Sequence, residues 1–334
     1  MVEPTGKFVS FAEPALDLSQ PIIDAHHHLY SRPSLRYLED EYLSDLHSGH
    51  DVQSTIFVQA LAFYRAFGPS ALRPVGETEF AAGAAERAEN SAGPRLCAGI
   101  VGFADLLLGD AVRPTLEAHL IAGKGRFRGI RHIIAWDADA RLLNPAYPTS
   151  EDMTVLASFQ RGFGLLAELG LSFDAWILFP QMPRLAALAR LFPETSIVLD
   201  HCGGIFGLGV NAANDQEIFS KWREGLAELA ACPNVSVKIS GFGMAQAGFG
   251  FTRSETGPSS TELAHAWHPW VRTCIELFGV KRCMFASNFP PDKVSYSYGI
   301  GLNAMKRLVA DLNAEERHAL FYGSASRFYR LETR

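Results

Sequence analysis

The chain has 334 residues, and 48% of them are apolar, including 23 phenylalanines. This length fits two average domains or one large α/β domain, because α/β barrels routinely exceed the usual domain size. The net charge of −6 and the isoelectric point near 6.0 argue against a surface that binds nucleic acid or an anionic membrane.

The spacing of the cysteines and the lengths of the apolar runs predict in which cellular compartment the protein is found. Five cysteines, an odd number, show no C-x-x-C spacing, which is typical of reduced thiols in a cytosolic protein. The first residues lack the apolar core of a signal peptide, and no run of about 18 apolar residues could span a membrane. The sequence therefore predicts a cytoplasmic protein whose partner is a small-molecule substrate, with no nucleic acid and no membrane. Whether it forms a homo-oligomer stays open.

Strand and helix patterns alternate along the chain. Residues 1–20 predict an N-terminal arm, and 21–30 hold the first strand and its exit. Further strands are predicted at 54–59, 95–103, 128–135, 171–178, 196–200, 234–239 and 283–287. Helices are predicted at 74–90, 111–122, 154–169, 183–192, 215–231 and 261–278, with closing helices from residue 300 onward. The alternation, without a composition break, predicts one α/β domain over 21–334, a (β/α)8 TIM barrel.

The first strand carries the most informative stretch, P-I-I-D-A-H-H-H-L-Y at 21–30. An apolar run that ends in polar residues is typical of a buried parallel strand where it leaves the core. Strand alternation places Asp24, His26 and His28 on one face and His27 on the other. Two imidazoles at i and i+2 can converge on one metal ion or one substrate. A merely polar surface loop is the alternative, which three adjacent histidines after an apolar strand disfavour.

Polar residues also stand at the other strand ends, where a barrel of this kind places its active site. They are Gln59, Arg131, His132, Gln181, His201, Lys238, Asn288 and Asp292. His132 fits equally well as the partner of a neighbouring carbonyl. Alternation predicts that Asp200 faces away from His201 as a structural group, and that Asp174 binds backbone or a cation. A buried Lys238 needs a carboxylate partner from the protein or the substrate.

Three motifs carry a resemblance. They are I-D-A-H-x-H at 23–28, D-H-x-G at 200–203 and F-x-S-[DN]-[FW]-P at 285–290, and the segments 127–137 and 171–176 agree with them. Together they resemble the amidohydrolase superfamily, specifically its amidohydrolase-2 branch of TIM-barrel metal-dependent hydrolases, over residues 21–330. The resemblance implies a lactonase-like hydrolase in which an aspartate activates water. In metal-using relatives a divalent ion assists, and some lactonases of the branch work without one.

The chain departs from that pattern at four positions, which stand at three strand ends. Asn288 stands where many relatives carry the aspartate base, and an amide cannot accept a proton near neutral pH. Asp292, four residues further on, is then the predicted base. Phe103 and Phe179 stand where similar sequences often carry histidine, and Ala286 where they often carry glutamate. These changes remove metal ligands and make the pocket more apolar.

The first functional hypothesis is a hydrolase of a lactone or another carboxylic ester, or of a cyclic amide, of a small carboxylated compound. His26, His28 and His201 would polarise the carbonyl directly or hold a Zn²⁺ or Mn²⁺ ion, while Asp292 activates water. Arg131 and Lys238 would bind the substrate carboxylate. The further candidate substrate contacts are Gln59, His132 and Gln181.

Two other hypotheses use the same barrel. The second is a metal-dependent non-oxidative decarboxylase of an aromatic or muconate-type acid, which needs the same histidines. The third is a degenerate barrel without catalysis, in which the departures mark lost activity. Residues 31–51 and the loop 241–257 are predicted to form the lid over the site, because long loops of this kind are usually functional.

Overall fold

The computed structural model describes residues 13–33, 35–89, 93–205, 216–251 and 257–332. In this part of the chain, eight parallel strands form one sheet and are ordered as they occur in the sequence. They are β1 Ile22–His27, β2 Val52–Val58, β3 Arg95–Gly102, β4 Phe127–Ile130, β5 Ser172–Ala175, β6 Ile197–Leu199, β7 Val235–Ile239 and β8 Cys283–Phe285.

The segment after β8 closes the sheet onto β1. The backbone N–H of Asn288 donates to the carbonyl of His26 at 2.9 Å, and the N–H of His28 donates to the carbonyl of Phe289 at 2.8 Å. The sheet is therefore a nearly closed barrel, and the prediction of a (β/α)8 fold is confirmed. Closure also brings the strand-one histidines next to the strand-eight exit.

Helices follow the strands and cover the outside of the barrel. They are α1 Glu39–Leu46, α2 Val75–Ala88, α3 Arg113–Ala122, α4 Ala157–Glu168, α5 Met182–Leu191, α6 Gln216–Ala230, α7 Ser260–Phe278, α8 Tyr298–Leu308, α9 Ala314–His318 and α10 Ser324–Phe328. The helix α7 begins at a capping box, in which Ser259 and Glu262 satisfy each other's backbone N–H groups. Within the described ranges, no helix has the length and apolarity needed to cross a bilayer.

The barrel interior is filled by small and branched apolar side chains from facing strands. They include Ile23, Ala25, Ile56, Val58, Val101, Val198, Met284 and Ala286. Tyr329 and Leu331, which follow α10, pack into the same cluster. The C-terminal residues therefore complete the interior, and the Tyr329 hydroxyl reaches Asp174 of β5 at 2.8 Å.

The strands β4 and β5 are shorter than predicted, since they end at Ile130 and Ala175. The apolar pattern continues beyond them, but there the side chain of Gln181 forms hydrogen bonds with backbone groups that would otherwise pair between two longer strands. Its Oε1 accepts from the N–H of Trp136 at 2.8 Å and from that of Leu178 at 3.1 Å. Its Nε2 donates to the Ile134 carbonyl at 2.8 Å. Backbone groups that are hydrogen-bonded to a side chain do not need a neighbouring strand as partner, so the strands can end early.

The described part of the N-terminal arm packs across α7 and α8. Ser260 N donates to Glu13 Oε1 at 2.8 Å, and the N–H of Leu16 donates to Asn303 Oδ1 at 2.9 Å. Several sequence predictions fall outside the described residues, namely the arm over 1–12, the helix ends at 90 and 215, and positions 252–256 of the predicted lid. In the other predicted lid segment, α1 follows a two-stranded hairpin, Tyr30–Arg32 with Leu35–Tyr37.

Candidate active site

The two strand-one histidines converge at the exit of β1. Nδ1 of His28 lies 2.7 Å from the Val58 carbonyl, which can only accept, so Nδ1 carries the proton and Nε2 keeps its lone pair. This Nε2 lies 3.2 Å from Nε2 of His26. Two imidazole ligands with bonds of about 2.1 Å to one zinc ion have a similar separation. The pair is therefore arranged like two ligands of one cation.

Asp24 does not share the face of His26, so that part of the alternation prediction is wrong. The pairing of β1 with β2 has an irregular register between Asp24 and His27. A shift of one residue moves a side chain to the other face of the sheet. Asp24 and His27 both contact Tyr42 of α1, by a hydrogen bond of 2.7 Å and by ring stacking at 4.2 Å. They fasten the barrel to α1 instead of entering the site.

A left-handed turn after β6 brings Asp200 and His201 to the same cluster. The φ angles of His201 and Cys202 are both +53°, and that of Gly204 is +58°. A Cβ at Gly204 would lie 2.2 Å from the Ile177 carbonyl oxygen, so the turn needs glycine there. The expectation that Asp200 faces away from His201 is wrong, because side-chain alternation ends with the strand. Ligand atoms of His26, Asp200 and His201 all lie within 4.8 Å of one another.

Lys238 of β7 is paired inside the barrel. Its Nζ lies 2.5 Å from Asp174 Oδ2, 3.0 Å from Asp200 Oδ1 and 3.2 Å from His26 Nδ1. Lys238 and both carboxylates are fully buried. Burial raises the pKa of Asp174 to about 6, whereas burial of Asp200 is outweighed by Lys238 and His26, which hold its pKa well below the usual range. The protein itself supplies the carboxylate partners that this lysine needs.

Arg131 joins the histidines to the exit of β2. Its Nη1 lies 3.3 Å from His26 Nε2 and 3.6 Å from Asp200 Oδ2, and its Nη2 donates to the Gln59 carbonyl. The Gln59 amide in turn donates to the Arg131 carbonyl at 3.4 Å. Within the described chain, the two cations of this cluster, Arg131 and Lys238, face two carboxylates. The cluster therefore carries no surplus positive charge.

The structure places His132 and Gln181 away from the cluster. His132 Nδ1 accepts from the Leu106 backbone at 3.2 Å, and its ring packs against Phe103 and Phe159. The Gln181 amide forms hydrogen bonds with the loops after β4 and β5. Both side chains have structural partners, although the partner of His132 is a backbone N–H group and not the neighbouring carbonyl that the sequence suggested.

The strand-eight exit presents Asp292 in a polar cage. Its Oδ1 accepts from Asn288 Nδ2 at 2.7 Å, and its Oδ2 accepts from Gly243 N at 3.1 Å and from Tyr296 OH at 2.7 Å. Burial raises its pKa to about 7, although these donors lower it in part. The loop that carries Gly243 also touches His201, because a Cβ at Gly241 would lie 2.6 Å from the His201 Cβ. Asp292 is thus one loop away from the histidine cluster.

The histidines have the protonation state that a metal ligand requires. Burial lowers the pKa of His201 to about 3 and those of His26 and His28 well below their usual value. Neutral imidazoles can donate a lone pair. His201 Nδ1 lies 2.8 Å from Ser240 Oγ, a contact that orients its ring as in metal sites.

The donor set fits a divalent cation. It combines the converging imidazole nitrogens of His26 and His201 with the carboxylate of Asp200, and the ligand atoms of these three residues lie within 4.8 Å of one another. Nitrogen and oxygen ligands of this kind suit zinc or manganese. The positive charges of Arg131 and Lys238 would repel a bound metal ion. The carboxylates of Asp174 and Asp200 offset that repulsion.

We expect the metal-free protein to bind one Zn²⁺ ion, and His28→Ala or His201→Ala to weaken that binding by about 100-fold, since each removes a ligand. Isothermal titration calorimetry measures the affinities without reference to activity. His265→Ala serves as the control, because that side chain is exposed on α7. Unchanged zinc affinity in both site variants would show that these histidines hold no metal.

Comparison with known proteins agrees with the fold and the motifs. The amidohydrolase family model matches residues 23–331. An uncharacterised Sinorhizobium fredii protein, y4mH, is 32% identical over 302 residues, 90% of this chain and 88% of that protein. An L-fucono-1,5-lactonase of Burkholderia multivorans is 29% identical over 236 residues, 70% of this chain and 72% of that enzyme.

A crystal structure of an amidohydrolase from Burkholderia multivorans with bound zinc matches with a TM-score of 0.70 and 27% sequence identity. The match covers 93% of this chain and 99% of that one. Since the family model spans nearly the whole chain, the protein belongs to the amidohydrolase family and is a hydrolase.

Proposed function

We propose that the protein opens a lactone ring, with the histidine cluster at the carbonyl and Asp292 as the base that activates water. The observation that carries this proposal is Asp292 itself, a fully buried carboxylate one loop away from the neutral histidines, whose pKa burial raises to about 7. A base with a pKa near the working pH combines an ionised population with a useful driving force for proton transfer. Two similar enzymes named L-fucono-1,5-lactonase support the ester class.

The residues divide the reaction between them. Asp292 takes a proton from water, the water oxygen bonds to the lactone carbonyl carbon, and the ring C–O bond then breaks. The released ring oxygen receives the proton that Asp292 holds, which leaves a hydroxy acid and a restored carboxylate. Arg131, beside His26, can stabilise the negative charge that develops on the carbonyl oxygen. A divalent ion held by the three histidines would polarise the same carbonyl.

A neutral lactone suits the site better than the carboxylated substrate expected from the sequence. Lys238 is fully buried and lies 2.5 Å from Asp174, so it is not free to bind a substrate carboxylate. Arg131 is already shared with Asp200. Binding an additional anion would place a third negative charge beside two cations, and desolvation would make that costly.

Rates on three substrate classes test the proposal. The purified protein, with and without added Zn²⁺ or Mn²⁺, is assayed on hydroxylated δ-lactones, on δ-lactones that carry a carboxylate, and on aromatic carboxylic acids. We expect the first class to be hydrolysed fastest and the third to release no CO₂. CO₂ release without lactone hydrolysis would favour the decarboxylase instead, and inactivity on every class would contradict both enzymes.

We expect kcat/KM for the lactone to fall tenfold per pH unit below about pH 7. The raised pKa of Asp292, about 7, means that the carboxyl is mostly protonated below this pH and cannot accept a proton. Initial rates between pH 5 and 8.5, corrected for uncatalysed hydrolysis, measure the profile. A rate that stays constant down to pH 5 would exclude Asp292 as the titrating base.

A further inference from the structure

An apolar cluster lies where the chain leaves the barrel after β4, β5 and β7. It combines three buried side chains with four that are only partly buried, namely Ile133, Ala135 and Leu178 with Leu142, Tyr147, Trp176 and Met244. In a barrel of this kind the strand exits form the rim that carries the active site. Apolar and aromatic side chains beside a few polar groups are the usual lining of a site for a small molecule. The cluster is therefore a candidate part of the substrate site.

Two partly buried members of this cluster reach His201. The rings of Trp176 and His201 meet edge to face, with their centroids 4.7 Å apart and their planes at 77°. Met244 approaches from the loop after β7, because a Cβ placed on Gly241 would lie 2.6 Å from the His201 Cβ and 3.0 Å from the Met244 Cε. His201 itself is only 4% exposed. An indole and a thioether thus form its apolar surroundings at the rim.

The histidine cluster therefore has a charged side and an apolar side. His26 faces the cations, with its Nδ1 at 3.2 Å from Lys238 Nζ and its Nε2 at 3.3 Å from Arg131 Nη1. The His201 ring, whose centroid lies 4.5 Å from that of His26, meets Trp176 instead. A substrate whose carbonyl lies at the two histidines would meet charged groups on one side and apolar side chains on the other.

We propose that Trp176 and Met244 form a wall that binds the carbon face of the substrate ring, and that they determine specificity for a ring over an open chain. A saturated ring presents C–H groups on its faces, and these gain dispersion and hydrophobic contacts on an indole and a thioether. A carboxylate at that place would lose its hydration against two apolar side chains. The wall rests on the proposed lactonase for the position of the carbonyl, and it specifies where the ring carbons lie.

Two ketones that cannot be hydrolysed test the wall independently of catalysis. Cyclohexanone carries its carbonyl on a carbon ring, and acetone has the same carbonyl without a ring. Ligand-observed NMR titration of the full-length protein gives the dissociation constants, and the chemical shifts of bound cyclohexanone report on the groups around it. We expect the wild type to bind cyclohexanone about tenfold more tightly than acetone. The ring protons should shift to high field, because they lie over the indole.

Two variants separate ring binding from folding. Trp176→Leu keeps an apolar side chain but removes the indole, so cyclohexanone affinity should fall about fivefold and the high-field shift should vanish. Met244→Ala shortens the other half of the wall, so it should cost about threefold and leave the shift in place. Neither variant should change acetone affinity. Trp136→Leu is the matched control, since this tryptophan follows β4 on the same rim and lies outside the cluster as the described residues define it.

Each outcome either supports or overturns the wall. Wild-type cyclohexanone affinity in both variants, equal losses for the two ketones, or a wild type that does not prefer cyclohexanone would each overturn it. A selective loss for cyclohexanone in Met244→Ala supports it even if Trp176→Leu fails to fold. If the ketones behave as expected but no lactone is hydrolysed, the proposed lactonase fails and the ring-binding wall stands.

Discussion

Replacing Asp292 by asparagine is expected to lower kcat/KM for lactone hydrolysis by about 10³-fold, within the range for loss of a general base. The amide has nearly the same shape but cannot take a proton from water. Its oxygen can still accept from Gly243 N and Tyr296 OH, and its NH₂ group can donate to Asn288 once that amide turns over. The fold should therefore survive, and circular dichroism with steady-state kinetics measures both properties.

A double variant sharpens this experiment. In Asn288→Asp with Asp292→Asn, the donor and acceptor of the 2.7 Å contact exchange places, and the charge of the pair is unchanged. The carboxylate then stands where the motif resemblance implies the base, so we expect part of the activity to return. Asp311→Asn, a surface position paired with Arg272, should have no effect. Wild-type rates in Asp292→Asn would remove this residue from the mechanism.

Replacing Lys238 by methionine is expected to lower the free energy of unfolding by about 3–5 kcal/mol, the usual cost of breaking a buried ion pair from one side. The change leaves Asp174 and Asp200 fully buried without the ammonium group that lies 2.5 and 3.0 Å from them. Two uncompensated carboxylates in the barrel must then take up protons or expose themselves. Urea unfolding followed by circular dichroism gives the difference.

Matched substitutions show whether the loss comes from the buried charges. Lys124→Met breaks an exposed pair with Glu86 and should cost less than about 1 kcal/mol. Adding Asp174→Asn to Lys238→Met removes one of the stranded charges and should recover part of the stability. A loss below about 1 kcal/mol for Lys238→Met would mean that the ion pairs contribute nothing to the barrel.

The barrel was predictable because its signals are local. Each strand is a short apolar run, α7 begins at a capping box, and most predicted ends lie within three residues of the observed ones. His26 lies at the end of the first strand, His28 follows that strand directly, and His201 follows the sixth. Parallel strands in a barrel carry their exits to one rim, so these three residues could be expected to meet.

The rest of the site depends on features that the residue pattern does not encode. The register irregularity in β1 separates Asp24 from His26, and the positive φ of His201 brings Asp200 into the cluster. Tyr329 reaches Asp174 across 155 positions of sequence, and no local signal marks it. Glu77 lies in a helix whose sequence gives no sign that the fold buries this carboxylate.

Hydrolysis in H₂¹⁸O tests the assignment as a lactonase most directly. The protein is incubated with a neutral hydroxylated δ-lactone, and mass spectrometry follows both the amount of hydroxy acid and its label. We predict product at a rate far above the uncatalysed one, with a single ¹⁸O atom in the new carboxylate and with loss of the rate in Asp292→Asn. Product formation no faster than in buffer, or CO₂ release from an acid without uptake of label, would contradict it.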